Sequence, residues 1–380
     1  MSILDVTGRC NLRCVYCCRG ELNKPGNEPE LDELVGHALQ VARARGTFLV
    51  LQGGEPLLRR DFAELLRRLA AEIPTRPGHL RQAIAELLER RLAGDELRRA
   101  WMRALIDGGL PLICLTTNGM RWTEALDDAV YAAGVYVEVS IDSPRAELNE
   151  QTRPGFRMPR VLQNIRGFAR RNPVELSCTA TSANVDELAA MLPFAAELGC
   201  AAVKINPVQA IGLEAAAAQT WRRRYVAGVH SILDLHGHDP TGRLLKIKLD
   251  GELLTSSEGQ RLAARIEDTP GVLFERKSAC MAYKTLANVY IDPKGNVYGC
   301  SSFNGQTDWI MGNLNDQGLR EIWQSERRTG LRARAQALST GGDAPPIDAA
   351  ELVHAPDDAP RCPASICAQS QALTSIRSSK

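Results

Sequence analysis

From residue 3 to about residue 207, short apolar runs alternate with amphipathic stretches whose period switches from two to 3.6 and back. Ile3 to Thr7 reads as a first strand; Leu31, Leu34, Val35, Ala38, Leu39 and Ala42 then recur at helical spacing. Phe48 to Leu51 is a second strand and Leu112 to Thr117 a third, ending in Asn118-Gly119. In the fourth, Val135, Val137, Val139 and Ile141 alternate with Tyr136, Glu138, Ser140 and Asp142, which makes one face apolar and the other polar. Glu175 to Thr181 behaves similarly, and Val203 to Asn206 is the sixth strand. Strands alternating with helices define an α/β protein with a parallel sheet. Polar alternate faces imply a closed or nearly closed barrel, apolar side under helices and polar side inward. Between the last two strands, Asn184 with Glu187 predicts a capping-box variant opening a helix that buries Leu188, Met191, Leu192, Ala195 and Leu198 and stops at Gly199.

Two segments break the rhythm. Residues 72–107 place a charged helical pair where a connection of about 2 to 6 residues would suffice. Arg81, Glu86, Glu89, Arg90 and Arg91 mark its polar face and Leu80, Ile84, Leu87 and Leu88 its apolar one, the bland reading being that this stripe packs on adjacent barrel helices. A helix-to-strand connection lies at the N-terminal end of a βα barrel, so the insertion is not expected to be an active-site lid. Residues 213–272 read as a helical connector through His236-Gly237-His238. Beyond it, Asn288 to Ile291, the turn Asp292-Pro293-Lys294-Gly295 and Asn296 to Tyr298 form a β-hairpin, and the Gly-, Ala-, Pro- and Asp-rich stretch after Thr340 is expected to be loop.

The 380 residues suffice for a sizeable core, and 46 Lys+Arg against 45 Asp+Glu leave a net charge of +1, which supports neither nucleic acid nor an anionic membrane as partner. No apolar run reaches the roughly 18 residues that span a bilayer, and the start carries no secretion signal, so a cytoplasmic protein is expected. Composition also argues against a disulfide framework, because the eleven cysteines are odd in number and the chain is long. Reduced thiolates can hold metal. Cys10, Cys14, Cys17 and Cys18 cluster near the N-terminus and Cys280, Cys300, Cys362 and Cys367 near the C-terminus, with Cys114, Cys178 and Cys200 between them.

Cys10-Asn11-Leu12-Arg13-Cys14-Val15-Tyr16-Cys17 is C-x3-C-x2-C directly after the first strand. Three thiolates this close can take three corners of a cubane iron-sulfur cluster and leave the fourth iron open. A zinc knuckle is the competing reading, though zinc usually takes C-x2-C pairs with a fourth ligand nearby. Here the sequence resembles the radical S-adenosylmethionine (SAM) enzymes, whose cluster loop has this spacing with an aromatic before the last cysteine, here Tyr16, implied to lie near the adenine of SAM. Gly53-Gly54-Glu55-Pro56 matches the family's GGEP motif, implied to approach SAM and accept its ammonium group. Thr116-Thr117-Asn118-Gly119 and Ser140-Ile141-Asp142 resemble the endings of the family's third and fourth strands, with Ser140 and Asp142 implied to bond the ribose or carboxylate. Arg153 resembles an arginine that pairs with that carboxylate, the competing reading being a solvated surface charge; the histidine often found just before it is replaced by Leu148 and Asn149.

This resemblance covers residues 1–212 and implies a partial (β/α)6 TIM-like barrel. A second covers roughly residues 275–370 of a C-terminal domain spanning 273–380, where Cys280, Gly295 and Cys300, then Gly312-Asn313-Leu314 and Ile322-Trp323, resemble the SPASM/twitch extensions. With Cys362 and Cys367 it implies a small hairpin and helix domain with four thiolates for one auxiliary 4Fe-4S cluster; a structural zinc is the bland alternative. Cys178, at odd parity to Ser177 and Thr179, and Cys200, after a helix-ending glycine, are expected to be buried small hydrophobes. Cys114 and Cys18 are expected to pack as well, with hydrogen-atom donation the sharper alternative for either.

The resemblance implies an oxidoreductase that cleaves SAM reductively to a 5'-deoxyadenosyl radical. That radical abstracts a substrate hydrogen atom, and the auxiliary cluster completes a net oxidation of a ribosomal peptide or other natural-product precursor. Aminoglycoside or other sugar dehydrogenation or epimerisation is the alternative, and a non-enzymatic zinc protein a remote one. Implied partners are a peptide or small-molecule substrate, an external one-electron reductant of flavodoxin or ferredoxin type, and a separate peptide-recognition protein, since none is recognised before the first strand.

Overall fold

The computed structural model describes residues 2–17, 28–44, 48–208, 215–238, 242–249, 253–254, 256–276, 283 and 288–340. Cys18, Cys280, Cys362, Cys367 and the stretch after Thr340 lie outside the described residues. In chain order the barrel contains β1 (Ser2–Thr7), α1 (Leu31–Arg43), β2 (Phe48–Gly53), α2 (Phe62–Glu72), α3 (His79–Glu89), α4 (Gly94–Gly108), β3 (Leu112–Thr117), α5 (Glu124–Ala132), β4 (Tyr136–Ser140), α6 (Ala146–Thr152), α7 (Met158–Ala169), β5 (Val174–Ala180), α8 (Met191–Glu197) and β6 (Ala202–Pro207). Then come α9 (Ala215–His238), β7 (Leu244–Leu249), α10 (Ser257–Asp268), β8 (Val272–Arg276), β9 (Tyr290–Ile291), β10 (Asn296–Tyr298), β11 (Gly312–Asn313), α11 (Leu319–Gln324) and α12 (Glu326–Thr340).

All of these strands form one sheet in the order β11-β10-β9-β1-β2-β3-β4-β5-β6-β7-β8, parallel from β9 through β8 and open at its two edges. The segment expected as a helical connector therefore contributes two further barrel strands. Leu245, Ile247 and Leu249 face the helices while Lys246 and Lys248 alternate with them, the same period-two pattern that marks the earlier strands. On the outer face Leu49, Leu51, Ile113, Leu115, Val137, Val139, Leu176, Val203 and Ile205 are buried beneath the helices. Cys178 and Cys200 join that layer, as their sequence positions predicted.

The helix before β6 differs from expectation at its start. Residues Val185–Ala190 wind as a 3-10 helix and Asn184 forms no capping hydrogen bond. Its side chain instead donates to the Asp142 and Thr179 carbonyls, at 2.7 and 3.0 Å, and accepts from the Thr181 N–H at 2.7 Å, tying β5 to the end of β4. Asn is effective in such local side-chain to backbone bonds, which compete with capping.

The C-terminal hairpin extends the barrel sheet: β9 pairs with β1, Ile3 opposite Tyr290 and Leu4 opposite Ile291. The Tyr290 hydroxyl donates to Asp5 at 2.6 Å, His37 and Asn315 bond at 2.8 Å, and the Leu319 N–H donates to Gln40 at 2.8 Å. Phe303 and Trp309 stack at 4.2 Å within the same continuous core as the barrel, and the Tyr283 hydroxyl donates to the Trp309 carbonyl at 2.9 Å.

Candidate functional site

The cysteine loop leaves the C-terminal end of β1, the end at which βα loops gather active sites. Backbone bonds fix it on two sides. The Gly54 N–H donates to Thr7 O at 2.9 Å and the Glu55 N–H to Arg9 O at 2.7 Å; across the site the Val15 N–H donates to Thr152 O at 3.0 Å and the Arg13 N–H to Pro154 O at 3.2 Å. The approach of loop and strand explains the paired glycines: a Cβ on Gly54 would stand 2.2 Å from Arg9 O, and one on Gly53 2.4 Å from Thr7 O. Leu12 anchors the loop in the core while Cys10, Cys14 and Cys17 remain partly exposed, free of disulfides.

Burial pushes the Cys10 thiol up to about 11, helped by the nearby Glu55 carboxylate and the other two cysteines, against a Leu12 N–H that favours the thiolate. Burial also raises Cys14, and Arg153 opposes that rise. Among the described residues no three His, Cys, Asp or Glu side chains are gathered at metal-binding distance. The donor set nonetheless fits an iron-sulfur cluster: three soft thiols on one loop held by glycine backbone, with Cys14 and Cys17 close enough to Cys10 to raise its pKa.

Around the loop the sequence candidates meet through a buried carboxylate. Asp142 accepts from the Tyr16 hydroxyl at 2.6 Å, from the Thr152 hydroxyl at 2.9 Å, from Arg153 through Nε at 2.9 Å and Nη2 at 3.0 Å, and from the Thr179 N–H at 3.1 Å. Arg153 is 5% exposed, so the surface-charge reading is excluded. Burial disfavours its charge, but Asp142 and Tyr16 raise its pKa well above the ordinary arginine value. The guanidinium also reaches within 3.9 Å of Cys14 Sγ and lies 5.3 Å from the Tyr16 ring centre. Asp142 and Arg153 are thus paired with each other, and the Tyr16 hydroxyl is engaged by the same carboxylate. Asn149, in the stretch where the family often has histidine, accepts from the Asp142 N–H at 2.8 Å and donates to the Ser143 and Arg145 carbonyls, holding the turn after β4.

Glu55 is fully buried and accepts from the Thr117 hydroxyl at 2.6 Å, the Asn118 N–H at 2.7 Å and the Leu57 N–H at 3.1 Å. Burial raises its pKa and these three donors oppose the rise. Its carboxylate clamps the ends of β2 and β3 together, and Asn118 in turn donates to Asn11 of the cysteine loop at 2.8 Å. Ser140 stands half-buried on the inner face opposite Ser177.

Deeper on that face is a set of charges the sequence reading only half identified. Lys204 pairs with Glu138 at 3.1 Å, and Lys246 with Glu175 at 2.6 Å, where the Tyr136 hydroxyl also donates at 2.7 Å. Alternation exposed Glu138, Glu175 and Tyr136; Lys204 and Lys246 carried the same signal. Burial works against the Glu138 charge, but Lys204 and the Ser177 hydroxyl outweigh it and lower the pKa.

An open parallel barrel with a thiol loop and a glycine approach at the C-terminal end of its first strands defines the radical SAM class. Family models agree: the radical SAM superfamily matches residues 4–183 and the iron-sulfur cluster-binding SPASM domain residues 280–342, together more than half of the chain. The protein belongs to the radical SAM superfamily and carries a SPASM domain; its cofactors are SAM, a 4Fe-4S cluster and an auxiliary iron-sulfur cluster. The AdoMet-dependent heme synthase of Methanosarcina barkeri is 24% identical over 332 residues, covering 84% of this chain and 81% of that one. The PqqA peptide cyclase of Ruegeria pomeroyi is 26% identical over 335 residues, covering 84% and 72%. Among solved structures, Streptococcus suis SuiB bound to SAM superposes with a TM-score of 0.56 at 14% identity, over 87% of this chain and 65% of SuiB, and SuiB has also been solved with its precursor peptide SuiA. Among the described residues no helix is long and apolar enough to cross a membrane.

Proposed function

We propose that this radical SAM enzyme oxidatively modifies a ribosomally made peptide, with Cys10, Cys14 and Cys17 holding the SAM-binding cluster and Cys280, Cys300, Cys362 and Cys367 the auxiliary one. The observation that carries the site assignment is the Asp142 network, which joins the cysteine loop through Tyr16 to Arg153 and to the ends of β4 and β5. When bound, the cluster and SAM supply a 5'-deoxyadenosyl radical able to take a hydrogen atom from an unactivated C–H bond. The chain's own residues supply position. Gly53 and Gly54 let the β2 end approach the loop without a side chain, Glu55 locks β2 to β3, and Arg153 places a buried positive charge beside Cys14. The interior pairs Glu138–Lys204 and Glu175–Lys246 leave the polar inner wall internally neutralised. Four cysteine ligands would leave an auxiliary cluster no open iron, so the chemistry it would supply is electron transfer rather than substrate coordination. A flavodoxin- or ferredoxin-type protein supplies the initiating electron. A peptide substrate is favoured by the relatives whose own names include peptides, the PqqA cyclase and SuiB with SuiA.

Anaerobic reconstitution tests the assignment: two cubanes predict about eight irons per chain, and replacing Cys10, Cys14 and Cys17 together by Ala should leave about half of the iron and abolish SAM cleavage. Unchanged iron in that variant, or zinc in place of iron, overturns it.

A further inference from the structure

The insertion formed by α3 and α4 touches α10 and the end of α7 along its edges, but its apolar stripe is buried elsewhere. Its apolar stripe, Leu80, Ile84 and Leu87 from α3 with Leu97, Trp101 and Leu105 from α4, forms one buried cluster with Val50, Leu112, Cys114, Tyr136, Ala202, Leu244 and Leu273. These strand residues have the opposite parity to Leu49, Leu51, Ile113, Val137, Val203, Leu245 and Val272, which lie under the helices. They therefore belong to the inner face, near the N-terminal starts of β2 to β8.

The hairpin spans that mouth and is tied to its rim. Its base closes before β3 through the Arg76 N–H to Gly108 O at 3.1 Å. Arg81 donates to the Ala169 and Arg170 carbonyls, at 2.9 and 2.6 Å, just ahead of β5. At the turn between the two helices, Leu92 O accepts from the Gly271 N–H at 2.8 Å at the entrance to β8, and Arg98 faces Glu267 at 3.6 Å. Trp101 reaches the interior charges: its ring meets Tyr136 edge-on at 6.4 Å, and Lys246 Nζ lies 5.0 Å from the centre of the indole and 4.4 Å from that of the phenol. The innermost ion pair, Glu175–Lys246, thus has an aromatic floor, and a cation over two ring faces gains from its desolvated setting.

We infer that residues 76–108 are a stopper that closes the N-terminal mouth of the barrel, with Trp101 reaching the interior charges, and that they keep solvent and small solutes from reaching the interior from below. The value of this for radical chemistry rests on the proposed function; the stopper itself does not, and it can be read without turnover. Cys114 lies in the stoppered cluster, whereas Cys178 and Cys200 are buried on the outer face, and burial raises all three thiols above the ordinary value. They provide a reporter and two internal controls.

The experiment is anaerobic alkylation of the full-length, reconstituted protein by N-ethylmaleimide, with the modified cysteines mapped by mass spectrometry. In the native protein all three should resist. Trp101→Ala should label Cys114 roughly ten-fold faster or more while Cys178 and Cys200 stay protected, because the route to Cys114 becomes a local opening. Trp101→Phe should restore protection, and replacing residues 76–103 with a short Gly-containing loop should label Cys114 fastest of all. Cys114 remaining as slow as the two controls in both Trp101→Ala and the shortened protein overturns the stopper; so does equal acceleration of all three thiols, which would make the insertion an inseparable part of the global fold.

Discussion

At the N-terminal ends of the strands the inner face is apolar and closed, with Val50, Leu112 and Leu244 packed against the α3–α4 hairpin. At the C-terminal ends the same strands present Ser140, Asp142, Asn118 and the cysteine loop, and order comes from hydrogen bonds converging on Asp142 and Glu55. Between them the wall passes through two ion pairs, Glu175–Lys246 toward the closed end and Glu138–Lys204 toward the open one. A barrel that must admit a polar cofactor at one end cannot fill that end with packed side chains. Rigidity there has to come from directional bonds, whose loss leaves buried polar groups unsatisfied. The closed end has no such constraint and is stabilised by apolar burial.

The comparison is sharpest where each end holds a buried ion pair. Arg153→Ala and Lys246→Met each leave a carboxylate without its charged partner, and each should cost about 3–5 kcal/mol in denaturant unfolding. Iron content should separate them. Arg153→Ala also releases the network that holds Tyr16, so its first cluster should load poorly, whereas Lys246→Met should reconstitute fully. Equal iron loss in both would erase the distinction between the ends.

Glu55→Gln has a smaller expected effect. It preserves shape but replaces one acceptor oxygen by an amide donor that must face the Asn118 N–H or the pair formed by the Leu57 N–H and Thr117 hydroxyl. About 1–3 kcal/mol should be lost. No loss would mean that the clamp between β2 and β3 does not depend on the carboxylate.

The smallest effect lies at the water-facing edge of the open end. A hydrogen bond from Arg59 holds Asp61 below the usual carboxylate range, although its side chain is 36% exposed. With a lowered folded pKa, its contribution is complete above the ordinary carboxylate value of about 4 and disappears as pH falls through the lower folded value. Solvent screening keeps it under about 1 kcal/mol, so Asp61→Asn should lower the melting temperature slightly at neutral pH and leave it unchanged in strong acid. A difference that persists in acid would assign the effect to packing.

How legible these features were in the sequence depended on their range. The first six strands were readable because alternation is a local property, and β7 carried the same signal in Leu245, Lys246, Ile247 and Lys248. The thiol loop was readable from spacing within eight residues. Asp142 and Arg153 could be named as members of a site, but their bond to each other could not, and the meeting of Tyr16 with Asp142 joins positions 126 residues apart. Asn184 looked like a helix cap because local spacing favoured it; the strand-end carbonyls it serves become neighbours only when β4 and β5 pair.

The sequence by itself determined the alternating α/β order, the cysteine loop after β1, the glycines beside it and an amphipathic helical pair before β3, all of which follow from residue chemistry over short separations. Tertiary structure alone decided what those faces meet. An apolar stripe states how much surface a helix must bury, not against which partner, and the α3–α4 stripe found the mouth of the barrel. Likewise β9 could show hairpin chemistry in its sequence while its pairing with β1 required segments far apart in the chain to come together, because backbone donors and acceptors carry no address of their own.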